Sequence, residues 1–334
     1  RLGPLENVDE VYDHLDEVLA AGNQHLVWAL FKAAHTDESG VRVVLDGLDG
    51  DNVISHGHNR FSEFALAGDW RTFGYESSRS AARFTTATHR HNFEDTLSSP
   101  SDIFLSFGRP VLDQLAETGP AWRFVRAAWG AHRHANIRPR YLLQRYGRRA
   151  LVPAPILRRR KPEPRRRTAP LVADSFARRI ALSDRLEETR ETDLKRRVLD
   201  EGTVRGAQLA ILSSPRISYA LEGTSHVAGA FGLEVAHPFF DLRVVRYCLG
   251  LPSAQSYADG WTRLVLRRAL QGALPDAIRW RVGKAWMGDN YARGLFIQDA
   301  DLLRQHLDDL GPLEPYIDRD ELRRLREGAE DGPN

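Results

Sequence analysis

The sequence predicts an α/β fold: a parallel sheet with helices, followed by a largely α-helical C-terminal half. Three observations carry this. Val41, Val43, Val44 and Leu45 form a short β-branched run that reads as a buried strand, stopped by Asp46-Gly47. Residues 9–35 before it read as helical, and helix, strand and acid loop together make half of a doubly wound unit. From residue 171 to about 327 the chain reads as almost wholly helical.

The loop after the strand is the chemical centre of the sequence. Asp46, Asp49 and Asp51 fall within six positions, with Gly47 and Gly50 between them. A strand ending this way places carboxylates at the carboxyl edge of a sheet, where open α/β sheets bind ligands. Glycines let backbone approach a ligand closely, and acids of this kind can hold Mg²⁺ on a phosphate chain. An acidic turn between a strand and a helix fits the same spacing. An EF-hand does not, because Val53, Ile54 and Arg60 stand where an oxygen ligand, the glycine and the bidentate acid belong.

Composition bounds the rest. The 334 residues are enough for one large domain or two ordinary ones, and 42% apolar with 28% charged residues is globular rather than disordered. No apolar run reaches membrane-spanning length and no apolar leader follows Arg1. A single cysteine, Cys248, excludes an internal disulfide and fits a cytoplasmic location. Of 47 cations only Lys32, Lys161, Lys195 and Lys284 are lysine, so each retained lysine is informative.

In chain order, Leu26, Val27, Leu30, Phe31 and Ala34 make the stripe of the first helical segment, with Asn23 able to cap it and Gly40 closing the link to the strand. A helix over 59–67 turns Phe61, Phe64 and Ala65 inward and ends at Gly68. Residues 70–100 are polar. His89 and His91 there, like His56/His58 and His132/His134, lack a further ligand at metal spacing and read as solvated loop. Residues 101–150 read as amphipathic helices carrying Trp122, Phe124, Trp129, Tyr141 and Tyr146. Residues 153–170, proline-rich with seven cations, read as an extended loop without aromatics for base stacking. The expected organisation is an α/β core over 1–150, this linker within 151–170, and a helical remainder over 171–334.

Asp241 is an N-cap candidate, Phe240 and Val245 sit at hydrophobic-staple positions, and Val244, Val245, Cys248 and Leu249 form a stripe that Pro252 closes. Asp259-Gly260 reads as the opening of a helix that carries Trp261, Leu264, Val265 and Ala269 on one side, Arg263 and Arg267 on another, and ends at Gly272 and Pro275. Residues 279–284 then present three cations in an irregular stretch.

Three pieces in order, LDGLDGDN (45–52), EVAHPFFD (234–241) and LRRALQGALPDAIRWRVGK (266–284), resemble the asparagine-synthetase family in its C-terminal synthetase domain. The resemblance covers about residues 10–290. It implies an adenine nucleotide alpha-hydrolase-like (PP-loop) sheet, ATP and Mg²⁺ as cofactors, and adenylation of a carboxylate followed by attack of an amine. Matched to the family motifs, Asp51 holds the metal on pyrophosphate and Lys284 stabilises charge at the α-phosphate; Asp46, Gly47, Asp49, Gly50 and Arg281 complete the expected nucleotide site. A surface cation is the alternative for Lys284, and a solvated helix face the alternative for Arg263 and Arg267 as phosphate ligands.

Several positions depart from the family pattern. No S-G-G-x-D-S loop precedes residue 41, and no glutaminase domain with an amino-terminal cysteine is present, so the chain reads as a fragment or as half of a split enzyme. Asp46 replaces a serine, Leu48 an acid and Asn52 a glutamate, while Ala236 replaces an arginine and His237 precedes the proline. The pattern is similar to the divergent branch found in natural-product biosynthesis, which includes lasso-peptide macrocyclases. The implied function is an asparagine-synthase-type amide ligase, with ammonia from glutamine or a peptide amine as nucleophile and a small-molecule or peptide carboxylate as acceptor. A macrocyclase and a catalytically inactive binding scaffold are the alternatives. Nucleic acid and membrane are not expected partners.

Overall fold

The computed structural model describes residues 3–16, 24–35, 40–84, 99–151, 171–187, 202–282, 291 and 293–330. Two helices, α1 (Val8–Leu15) and α2 (Gln24–Ala34), precede a three-residue strand β1 (Val43–Leu45). On α2 the buried positions are His25, Trp28 and Phe31, whereas Leu30 is 68% exposed. The expected stripe is therefore rotated by part of a turn, because Trp28 packs edge-on against Phe231 and pulls its own face inward. Asn23 lies outside the described residues.

β1 pairs in parallel with β2 (Glu234–Ala236), in the register Val43↔Glu234, Val44↔Val235 and Leu45↔Ala236. The parallel pairing agrees with the expected α/β unit, but the described residues form only this two-stranded parallel ladder and a small hairpin. The strand is also not buried: Val43 is 53% and Leu45 71% exposed, because one neighbouring strand covers little of a pleated face. The molecule is mainly helical. Its two main connected apolar clusters are carried by helices rather than sandwiched across a sheet.

After β1 come α3 (Gly50–Ile54), α4 (Arg60–Ala67) and α5 (Trp70–Phe84). Phe61 and Ala65 are buried, and Gly68 ends α4 in the left-handed conformation, as its sequence implies. Residues 70–84, expected as polar loop, are instead a helix. Its Trp70, Phe73, Ser77, Ser80 and Phe84 face the core, an apolar-and-small stripe at helical spacing hidden in a polar stretch. Residues 85–98, with His89 and His91, lie outside the described residues.

The expected helical region over 101–150 is present as α6 (Pro100–Ile103), continuing through a π turn at Phe104–Gly108 into α7 (Arg109–Thr118), then α8 (Ala121–His134) and α9 (Pro139–Leu151). Phe61, Phe73, Phe104, Leu112 and Tyr146 form the largest core with Tyr257, which arrives from the far end of the sequence. His132 is not solvated loop: its Nδ1 lies 2.8 Å from the Ile137 carbonyl oxygen and secures the α8–α9 connection. The basic segment 153–170 lies outside the described residues.

The C-terminal half is less helical than expected. After α10 (Asp174–Arg179), α11 (Val204–Leu212) and α12 (Pro215–Gly229), the chain forms β2 and a short 3₁₀ turn at Pro238–Phe240. Asp241 then caps α13 (Leu242–Gly250), accepting the Arg243 N–H at 2.8 Å, and Cys248 packs with Val53 and Ile54. A short helix α14 (Ser253–Ser256) leads into a hairpin of β3 (Tyr257–Ala258) and β4 (Trp261–Thr262), and α15 begins only at Leu264 and ends at Ala269.

Asp259-Gly260 is thus a hairpin turn and not the start of a helix. Both residues have positive φ, 52° and 73°, as a two-residue type I′ turn requires. The buried Glu76 carboxylate accepts both turn amides, from Asp259 at 3.1 Å and Gly260 at 3.0 Å. Arg60 donates to the Tyr257 carbonyl on the adjoining strand. Two side chains from α4 and α5 therefore fix where Arg263, just past the hairpin, is delivered.

Candidate functional site at the carboxyl end of the parallel strands

The Asp46 N–H donates to the Ala236 carbonyl at 3.2 Å, extending the ladder by one bond and setting Asp46 beside His237. His237 Nδ1 lies 2.7 Å from Asp46 Oδ1, which also accepts the Leu48 N–H at 3.2 Å. An ionised carboxylate can only accept, so the proton of this pair sits on Nδ1. His237 Nε2 is buried and has no hydrogen-bond partner among the described residues. Asp49 has φ 50° at the start of α3, and its carboxylate accepts from Asn52 Nδ2 at 2.8 Å. Gly50 is needed for packing, since a Cβ there would come within 2.7 Å of the Phe239 ring.

Asp51, on the first turn of α3, faces the hairpin. Its Oδ1 is 2.8 Å from Arg263 Nη2, which also lies 3.0 Å from His56 Nε2. His56 Nε2 also lies 3.5 Å from Asp51 Oδ2, so the imidazole stands between the arginine and the carboxylate. His56 stacks on His58 with centroids 5.1 Å apart. Burial first, then the nearby His56 and Arg263, hold the His58 pKa well below its ordinary value. His58 is buried, contrary to the expectation of a solvated loop, because the positive-φ Gly57 turns the segment back under Tyr257, while His56 keeps a partly exposed loop position.

Arg267 does not stand on a solvated helix face. It donates to the carbonyls of Thr262 at 2.8 Å, Arg279 at 2.5 Å and Arg281 at 3.2 Å, between the rings of Trp261 and Trp280. Desolvation, then Arg263 and Arg83, lower its pKa to about 10. It ties the backbone of 279–281 to α15. Arg281 is itself exposed, and Gly47 is exposed with open space where a Cβ would stand. Lys284 lies outside the described residues, so its placement relative to Asp51 is not described.

The structure thus brings together Asp46, Asp49, Gly50 and Asp51, all on one loop, with Arg263 and two histidines. Sequence reasoning named the loop but passed over His56 and His58 and assigned His237 no role. The available signal was an acid at position 46 together with a histidine, His237, just before the proline of the second motif.

A family model described as asparagine synthase matches residues 4–334. The chain belongs to the asparagine synthase family. No match was found among curated proteins or among solved structures. The family is one of ATP-using amide ligases, and the described site can be examined for its fit to ATP and metal. Among the described residues no group of three or more His, Cys, Asp or Glu is arranged to hold a metal alone. Magnesium is usually held on one or two carboxylates with phosphate oxygens completing its shell, and the half-exposed Asp51 beside Arg263 fits that pattern. No helix of the described residues is long and apolar enough to cross a membrane.

Proposed function

We propose that this member of the asparagine synthase family is an AMP-forming amide ligase, in which a carboxylate attacks the α-phosphorus of ATP, pyrophosphate leaves, and an amine displaces AMP. The observation that carries this reading is the Asp51–Arg263 pair at the carboxyl ends of β1 and β2. Magnesium would neutralise the charge that grows on departing pyrophosphate. Asp51 would be its carboxylate ligand. Arg263, beside Asp51, would be placed to face the phosphates, where a planar fork suits paired oxygens. Gly50 lets α3 sit close over Phe239, and Asp46 and Asp49 shape the loop through bonds to His237, the Leu48 amide and Asn52. Arg281 and Lys284 are the proposed cations toward the α-phosphate.

The first form of this reading is a glutamine-hydrolysing asparagine synthase type, with ammonia delivered by a glutaminase domain or partner chain. Leu48 favours a second form, a macrocyclase that joins a peptide amine to an Asp or Glu side chain. An apolar half-buried side chain stands where an acid would orient ammonia, and it suits a larger amine. The test is carboxylate-dependent ATP–pyrophosphate exchange in the intact protein, with aspartate, glutamate and peptides ending in either residue. Exchange with one of them is expected; its absence with all of them sinks the ligase reading. Comparing ammonium with a peptide amine as acceptor then separates the two forms.

A further inference from the structure

We infer that His237 and Asp46 form the general base of the amine-attack step, an inference that rests on the ligase reading above. Asp46 stands where the resembled loop has a serine, His237 fills an open position of the second motif 191 residues away in sequence, and their side chains meet at 2.7 Å. On the same loop Leu48 stands where the resembled motif has an acid. The loop therefore lacks a carboxylate at position 48 and holds one at Asp46, paired with a histidine.

The geometry defines what the pair does. Asp46 takes the Nδ1 proton and fixes the tautomer, leaving the Nε2 lone pair as the reactive end. The Leu48 N–H on the same Asp46 oxygen holds the carboxylate in place, so Asp46 is engaged as the orienting group and not as a base itself. The bond from the Asp46 N–H to the Ala236 carbonyl fixes the backbone of both residues beside each other, and Pro238 restricts the backbone of His237. His237 is only 13% exposed and its Nε2 has no partner among the described residues. A buried acceptor left unpaired is costly, and such atoms are expected to have a functional partner. The pair stands at the carboxyl ends of β1 and β2, with Asp46 opening the loop that leads into the helix of Asp51.

In the step, the amine nitrogen forms a bond to the acyl carbon of the adenylate, and the carbon–oxygen bond to AMP breaks with its electron pair leaving on AMP. His237 Nε2 accepts the proton that the amine loses. The imidazolium so formed is stabilised by the Asp46 carboxylate, which stays ionised. No oxidant or further reactant is required. Adenylation itself does not use His237.

The test separates the two half-reactions in the intact protein, using whichever carboxylate supports pyrophosphate exchange in the wild type. His237→Asn keeps an N–H donor for Asp46 and removes the Nε2 base. Exchange should stay within about threefold of wild type, while amide formation with ammonium or a primary amine falls by about 10²–10⁴-fold. Hydroxylamine, already unprotonated at neutral pH, should restore acyl transfer toward the wild-type rate, which a merely structural defect would not allow. Amide formation at the wild-type rate in the variant overturns the inference. So does an equal loss of exchange and amide formation, which would assign His237 to adenylation or to the fold. Absence of exchange in the wild type with every carboxylate instead removes the ligase reading, and this inference with it.

Discussion

Arg263 Nη2 lies 2.8 Å from Asp51 Oδ1, joining the hairpin of the C-terminal half to the loop that follows β1. Asp51 is 44% exposed, so the pair contributes little to stability and is free to be exchanged for a ligand. Asp51→Asn is expected to reduce pyrophosphate release by on the order of 10²-fold, in line with losses at metal-supporting positions. Its unfolding free energy should stay within about 1 kcal/mol of wild type. Pyrophosphate release and denaturant unfolding, measured on one preparation, check both halves.

Arg267→Lys tests the clamp on 279–281. A lysine keeps the charge but cannot reach three carbonyls with a planar fork, and it loses the stacking on Trp261 and Trp280. The expected cost is about 1–3 kcal/mol of stability, with the Trp280 environment changed. Thermal unfolding and tryptophan fluorescence report the two effects. An unchanged melting temperature would show that the clamp is dispensable.

Glu76→Gln should weaken the hairpin that delivers Arg263. Each Glu76 oxygen accepts one turn amide, and a glutamine offers one oxygen and one NH₂ that faces a donor. Leaving a buried amide unpaired costs about 1–3 kcal/mol. Hydrogen exchange at Asp259 and Gly260 should accelerate more than exchange in α8.

His58 makes stability depend on pH. Its folded pKa is lowered by burial, so the unfolded chain binds more protons in the interval below the ordinary histidine value. Its contribution is full above about pH 6.5 and is lost progressively as the pH falls toward the depressed folded value. Denaturant unfolding from pH 7.5 down to pH 5.5 should show this decline, and His58→Phe should flatten that part of the curve.

The parts legible from sequence were those with strong local chemistry. The acid loop, the Asp241 cap and the Gly68 stop each depend on residues within a turn of one another. Helix α5 was hidden because its buried positions include Gly74, Glu76, Ser77 and Ser80, polar or small residues that composition reads as loop. The Asp259-Gly260 hairpin was misread although the dipeptide signals it, since Trp261, Leu264 and Val265 also suit a helical face. His237 and Asp46 were invisible as a pair because only the parallel register of β1 with β2 brings them together.

That register has a kinetic consequence. The contact between Asp46 and His237 closes a loop of 191 residues in sequence separation, whereas α5, α7 and α8 gather around nearby partners. Contacts this distant pay their closure entropy before they return any stabilisation, so they form late. Helix content should therefore recover ahead of the strand ladder on dilution from denaturant. Catalytic competence would then be the slowest signal to return, a sharper gauge of finished folding than circular dichroism.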